Sequence, residues 1–294
     1  MRQHQLRALV QVAENGTIRA AARSLHLSQS ALTKALRELE EDVGTELLVR
    51  SHKGVEFTAA GRVLLTNARL ALASLERARD EIRALQGGAG AHVAAAVTPL
   101  LALAVLPRVW EAFTARQPDA RLSLSEGFLA DLIPRLIEGR LDFAIAIADP
   151  DDLPPELAFE PLFEVSAVPA GHPLAGATDW QALEHTQWTL NLSPGSQSET
   201  LLEWLRASNL PVPRQITACT SPTLMTELMR RTDAIGYCPR QLLADPMYGN
   251  GLQAFAALSP LPPPMQAGLI RLRAMPLGTS ARMLAELFIG HLTP

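Results

Sequence analysis

Four side chains near the start of the chain carry the clearest chemistry. Ser30, Thr33, Lys34 and Arg37 follow one another at intervals of three, one and three, so on a helix they share one polar face. Two hydroxyls and two cations in that pattern suit contact with base edges and phosphates when the first turns of a helix enter the DNA major groove. Ser28 and Gln29 stand at the start of the same helix and join the candidate set. The acids Glu38, Glu40, Glu41 and Asp42 come later, where such a helix is expected to leave the groove. A solvated outer face would use the same residue types, so the flanking elements must decide.

Those elements form a helix-turn-helix. A first helix is expected over Gln3–Glu14, with Leu6, Leu9, Val10 and Ala13 on one face. Asn15-Gly16 stops it, and Thr17 caps a short second helix carrying Ile18, Ala21, Ala22 and Leu25. His26-Leu27 breaks the pattern. Ser28 then caps a third helix, in which Leu32, Ala35, Leu36, Leu39 and Val43 make a buried stripe. Leu47–Arg50 and Val55–Thr58 flank the turn Ser51-His52-Lys53-Gly54 and read as a β-hairpin. Arg50, His52 and Lys53 would stand at its tip, as a wing contacting phosphates. The reading is a winged helix-turn-helix over residues 1–58.

The run Ile18-Arg-Ala-Ala-Ala-Arg-Ser-Leu-His-Leu-Ser-Gln-Ser-Ala-Leu-Thr-Lys-Ala-Leu-Arg-Glu-Leu-Glu, with Gly44-Thr-Glu-Leu-Leu-Val-Arg-Ser and Phe57-Thr-Ala-Ala-Gly, resembles the N-terminal signature of LysR-type transcriptional regulators. Ser30 stands where many members have proline, and Thr33-Lys34 where Ser-Arg or Ser-Gln is commoner. These departures touch the DNA-facing turn and bear on the operator sequence rather than the fold.

A linker helix is expected from Thr58 to about Gln86, the linker segment being residues 59–87. Leu64, Ala68, Ala71, Leu75, Ala78, Ile82 and Leu85 alternate spacings of four and three, a heptad seam that implies a partner helix. The alternative is docking on its own winged domain. Pairing would give a homodimer, placing two recognition helices on the half-sites of a pseudo-palindromic operator in double-stranded DNA. The resemblance implies the same antiparallel pairing, and often homotetramers. Gly87-Gly88-Ala89-Gly90 follows as a hinge rather than a phosphate loop, since no Lys-Ser/Thr follows it.

Residues 91–294 alternate strands and helices. His92–Thr98 and Asp142–Ala148 are nearly all apolar, as strands of a parallel sheet must be. Between them come one helix over Leu101–Arg116, a strand and a second helix. The layout fits an α/β effector domain of two lobes, residues 91–161 with 267–294, and 162–266. Crossings are expected near Glu160–Leu162 and Pro262–Met265. Arg140-Leu-Asp-Phe-Ala-Ile and Val168-Pro-Ala-Gly-His-Pro-Leu-Ala resemble motifs of the LysR effector domain. That likeness implies the two-lobed fold of type 2 periplasmic binding proteins.

Ligands of open α/β sheets sit beyond strand C-termini, against helix N-termini. Thr98-Pro99, Gly127-Phe128, Ser193-Pro-Gly195-Ser196 and Thr220-Ser221 occupy such places, which points to a small organic anion between the lobes. Ordinary N-capping explains the same hydroxyls. No Gly-x-Ser-x-Gly elbow accompanies Ser196, Ser198 and His185, and Asp151-Asp152 read as a solvated turn. No catalytic residue, cofactor or metal is therefore expected, since Cys219 and Cys238 have no ligand-like spacing. A solute-binding protein would carry a secretory signal, which the N-terminus lacks, so a cytoplasmic setting without membrane contact is expected. RNA polymerase is a further candidate partner.

The formal net charge is −4, which gives no general pull toward nucleic acid. It is unevenly placed. Residues 1–91 hold 13 basic against 10 acidic side chains, the remainder 13 against 20, and both lysines of the chain, Lys34 and Lys53, fall in the first segment.

Overall fold

The computed structural model describes residues 1–51, 54–85, 91–172, 179–246, 248–255 and 258–292. Two compact units emerge: Met1–His92 with Arg135–Leu141, and Val93–Pro134 with Asp142–Pro294.

In the first unit, α1 (Gln3–Asn15), α2 (Ile18–Ser24) and α3 (Gln29–Val43) precede β1 (Leu48–Ser51), β2 (Gly54–Phe57) and α4 (Ala59–Leu85). Local chemistry sets each boundary. Gly16 ends α1 at φ 70°, and Thr17 Oγ1 accepts the Ala20 amide at 3.1 Å to open α2. α2 closes in a Schellman turn. Leu27 N–H donates to the Ala22 carbonyl at 2.9 Å, His26 N–H to Arg23 at 3.1 Å, and His26 takes a left-handed φ of 54°. Ser28 Oγ then opens α3 by accepting the Ala31 amide at 3.1 Å.

The buried face of α1 is rotated from the expected one. Gln5, Ala8, Leu9, Val10 and Val12 are buried, whereas Leu6 and Ala13 are half-buried. Gln5 is tolerated inside because its amide is satisfied: Oε1 accepts from Arg2 N–H at 2.8 Å and Nε2 donates to Glu38 at 3.3 Å. Val43, expected in the α3 stripe, is exposed, because Gly44 (φ 76°) ends the helix beyond the last core layer. Glu40 turns inward instead. Its carboxylate accepts the Leu47 and Leu48 amides at 2.9 and 3.2 Å and fastens β1 to α3. β1 and β2 pair antiparallel from Leu48↔Phe57 to Ser51↔Gly54.

Thr58 caps α4, accepting the Gly61 amide at 2.9 Å. The heptad seam divides. Leu64 packs on the helical core of its own unit and Ala68 is buried, while Ala71, Leu75, Ala78 and Ile82 are exposed. The Leu85 side chain and the expected hinge Gly87–Gly90 lie outside the description.

In chain order, the second unit contains β3 (His92–Val97, its first residue falling in the first unit), α5 (Pro99–Ala104), α6 (Leu106–Arg116), β4 (Arg121–Glu126), α7 (Leu129–Ile137, whose end from Arg135 falls in the first unit), β5 (Phe143–Ala148) and β6 (Leu157–Val165). β7 (Ala167–Gly171), α8 (Trp180–Leu183), β8 (Gln187–Leu190), α9 (Gln197–Ala207), β9 (Gln215–Ala218) and α10 (Pro222–Arg231) follow. The last elements are β10 (Ile235–Pro239), α11 (Arg240–Ala244), β11 (Gln253–Ala254), β12 (Met265–Leu272) and α12 (Thr279–Leu292). Among the described residues two five-stranded sheets result, ordered β4-β3-β5-β12-β6 and β11-β7-β10-β8-β9. β5 is buried along its whole length, and Phe143 meets Phe288 of α12 edge-on, with ring centroids 6.3 Å apart. In the other sheet Trp188 is fully buried, its indole N–H donating to the Leu183 carbonyl at 2.9 Å.

Two expectations are corrected. The single helix over Leu101–Arg116 is two helices, broken at Val105 (φ −131°), because Pro107 sits in the first turn of α6 and cannot occupy a helix interior. The first crossing lies not at Glu160–Leu162 but at Ser166: β6 stays paired with β12 as far as Val165↔Met265, and β7 begins at Ala167. No helix among the described residues is long and apolar enough to cross a membrane.

Two glycines test the packing. A Cβ on Gly61 would stand 2.0 Å from the Leu47 carbonyl oxygen, whereas one on Gly290 meets nothing within 4 Å. Gly61→Ala should destabilise the first unit by about 3 kcal/mol, the upper range of overpacking costs, read as faster hydrogen exchange across α3 and β1. Gly290→Ala should raise stability by about 0.5–1 kcal/mol in urea unfolding.

Candidate functional site

Two places collect chemistry, one on each unit. The first is the outer face of α3. Gln29, Ser30, Thr33, Lys34 and Arg37 line one shallow surface recess, so the expected cluster is brought together, but Glu38 and Glu41 line it too. The acids therefore begin on the face rather than beyond it, and Lys34 Nζ lies 3.9 Å from Glu38. The hydroxyls are engaged locally. Ser28 Oγ caps the helix and lies 3.0 Å from Ser30 Oγ, and Thr33 Oγ1 donates to the Gln29 carbonyl at 2.8 Å. Lys34 and Arg37 are exposed. Arg50 belongs to β1, and His52 and Lys53 lie outside the described residues.

The second place is a cavity of about 100 Å³ where both sheets of the second unit end. Of the expected residues, Thr98, Pro99, Phe128, Gly195 and Ser196 line it. Gly127, Ser193, Thr220 and Ser221 do not, and each absence has a local reason except that of Thr220, which is simply exposed. Gly127 N–H donates to Val97 within the sheet at 3.3 Å, Ser193 N–H to Asn191 Oδ1 at 3.0 Å, and Ser221 Oγ accepts the Leu224 amide at 3.4 Å as a cap.

Sequence reasoning missed Asn191, Tyr237 and Tyr248, and the methionines Met225 and Met229, all of which line the cavity. Period-3.6 spacing could have flagged the methionines on α10; nothing in the sequence marks the tyrosines. Ser196 is a cap and a brace, its Oγ accepting the Glu199 amide at 3.2 Å and donating to the Asn191 carbonyl at 2.6 Å. Thr98 Oγ1 and Asn191 Nδ2 are buried without a hydrogen-bond partner. No described residue lining the cavity carries a formal charge at neutral pH. Among the described residues no cluster of three or more His, Cys, Asp or Glu is placed to hold a metal ion.

A family profile described as a bacterial regulatory helix-turn-helix protein of the lysR family matches residues 3–62, and one described as a LysR substrate binding domain matches residues 86–293. The HTH-type transcriptional regulator TdcA of Escherichia coli (strain K12) is 28% identical over 205 residues, which are 69% of this chain and 66% of TdcA. The match thus spans just under two thirds of that relative. PcaQ of Agrobacterium fabrum is 28% identical over 237 residues, 78% of this chain and 76% of PcaQ. Full-length CbnR, solved in complex with its target DNA, shares the fold with a TM-score of 0.66 at 24% identity, over 99% of both chains.

Cys238 also lines the cavity, its Sγ 3.9 Å from Met229 Sδ. Burial pushes its thiol up to about 12, against about 8.5 for a free cysteine. The native state holds this proton more tightly than the unfolded chain. The thiol's contribution to stability is therefore complete below about pH 8.5 and is lost as pH rises toward 12. Urea titrations at pH 7.5 and 9.5 should show a loss of stability to which this thiol contributes about 1 kcal/mol. In Cys238→Ala the loss should be smaller by that amount.

Proposed function

The chain belongs to the LysR family, and from that premise we propose that it is a transcriptional regulator that binds specific DNA through α3 and its hairpin and responds to a small organic anion in the cavity of its second unit. The observation that carries the DNA reading is the α3 face. Capped by Ser28 and packed through Leu32, Ala35, Leu36 and Leu39, α3 presents Gln29, Ser30, Thr33, Lys34 and Arg37 together on its exposed side. Lys34 and Arg37 supply the charge, and the hydroxyls and Gln29 supply hydrogen bonds at the groove. Arg50, His52 and Lys53 would meet the flanking phosphates. The shared fold with CbnR, whose structure holds its target DNA, supports this docking.

Dimerisation through α4 is supported by Leu75 and Ile82, 47% and 54% exposed on the half of the seam that its own core leaves uncovered. We assign residues 1–58 to DNA binding, 59–87 to pairing and 91–294 to the effector. A homodimer or homotetramer acting in the cytoplasm, with RNA polymerase as a downstream partner, fits this assignment. Thr98, Pro99, Phe128, Gly195 and Ser196 are retained as effector residues; Gly127, Ser193, Thr220 and Ser221 do not line the cavity.

Fluorescence anisotropy with the DNA upstream of the protein's own gene tests the reading. Lys34→Ala should weaken binding about tenfold at 0.15 M salt and reduce the slope of log K against log salt by about 1. Unchanged affinity and slope in Lys34→Ala and Arg37→Ala alike would remove α3 from the interface.

A further inference from the structure

Resting on that effector reading, we infer that the cavity selects a monocarboxylate whose remaining body is apolar and uncharged, and disfavours dicarboxylates and amino acids. Its polar capacity is confined to a small set of groups. Asn191, 3% exposed, holds Ser193 N–H on its Oδ1 at 3.0 Å, which fixes the amide orientation because an N–H cannot donate to Nδ2. Nδ2 is left as a buried donor with no partner, and Thr98 Oγ1, on a residue 7% exposed, is likewise unpaired. Beside them begins α9. Its first bonded turn starts with Thr200 N–H on the Ser196 carbonyl at 3.1 Å, and Ser196 Oγ takes the Glu199 amide. The amides of Gln197 and Ser198, both lining residues, precede that turn and carry the positive end of the helix dipole. A side-chain amide, a hydroxyl and two backbone N–H groups match the acceptor capacity of one carboxylate.

No described lining residue answers a second charge, since none is Lys, Arg, His, Asp or Glu. Apart from the side chains of Gln197, Ser198 and Thr226, the rest of the wall is largely apolar, formed by Phe128, Leu129, Ile147, Met225, Met229 and Leu242. Two tyrosines complete it, and burial raises both hydroxyls above their ordinary range; at Tyr248 a hydrogen bond with Thr226 and the charge of Arg230 oppose the shift, while Glu126 and Cys238 add to it. A second carboxylate would lose its hydration against that wall without a cation, and an ammonium would find no carboxylate. The volume of about 100 Å³ limits the apolar body to at most one ring or a short chain, since apolar cavities near 150 Å³ hold a single benzene.

Calorimetry on the full-length protein with benzoate, hexanoate, terephthalate, adipate, benzamide and phenylalanine tests the selection. Benzoate or hexanoate should bind at least about tenfold more tightly than the dicarboxylates, benzamide and phenylalanine, as expected for hydrogen bonds to one charged group. Asn191→Asp is nearly isosteric and keeps the acceptor for Ser193, but puts a negative charge at the head. It should cost benzoate about thirtyfold or more while leaving benzamide, which can donate to the new carboxylate, unweakened. Thr98→Val should cost benzoate about tenfold. A dicarboxylate or phenylalanine binding as tightly as benzoate would overturn the charge selection and leave the effector cavity standing. Benzamide equal to benzoate would overturn the anionic head. Absence of binding by both monocarboxylates would overturn the inference and the effector reading together.

Discussion

Two buried polar atoms without partners set the terms for the second unit. Thr98 Oγ1 and Asn191 Nδ2 lie at one cavity, and each unpaired group costs about 1–3 kcal/mol in a domain whose whole stability is about 5–15 kcal/mol. Collapse would relieve that cost if the walls could move. They are held apart by strand ends that pass directly into helices: β3 into α5 through Pro99, and β8 toward α9 through the Asn191–Ser196 turn. Ser196 is the brace of that turn, since one hydroxyl closes both the helix start and the Asn191 carbonyl. A cavity held open in this way lacks the stability that a filled core would give.

The first unit resolves its own conflict differently. Its proposed DNA face carries two acids as well as two cations, so Lys34 begins with Glu38 as neighbour. An exposed pair of this kind contributes at most about 1 kcal/mol, and Lys34 is 79% exposed, so little is lost when it turns to a phosphate. Glu38 is held back from following by Gln5. Glu40 is withdrawn from the face altogether by its two backbone amides. The net excess of cations in residues 1–91 therefore understates how much positive charge is free to move toward an anionic surface.

Much of this was legible in the sequence because it is local. The helix stop at Asn15-Gly16, the caps at Thr17, Ser28 and Thr58, and the two paired hairpin strands are written in adjacent residues, and they stand where expected. What was not legible depends on distant partners. Gln5 is buried because Glu38, far along the chain, receives its amide. Asn191 belongs to the cavity because Thr98 and Tyr237, far from it along the chain, line the same space, and Tyr248 reaches it from beyond α11. The expected crossing at Glu160–Leu162 failed because pairing with β12 extends the strand to Val165, and hydropathy alone cannot show where a strand changes sheets. Thr220 and Ser221 had the right residue types, yet in the fold one is exposed and the other is spent on capping α10.

An anionic ligand in the second unit raises an electrostatic objection, because residues 92–294 carry 20 acidic against 13 basic side chains. Distance answers part of it. Charges separated by more than the Debye length, about 8 Å at physiological salt, are largely screened. No acid is among the described lining residues, although Glu199 accepts the Gly195 amide and Glu126 acts on Tyr248 from beside the cavity. What a carboxylate meets inside is the local field of Asn191, Thr98 and the start of α9. Burial strengthens that field, since the effective dielectric falls well below that of water. Fixed dipoles without a cation carry no counter-charge that an empty site would have to neutralise. The cavity can then stand unliganded at the cost of two unpaired atoms, where a buried arginine would demand a partner in every state. A site so built favours reversible occupancy over tight retention, which is what a responsive regulator requires.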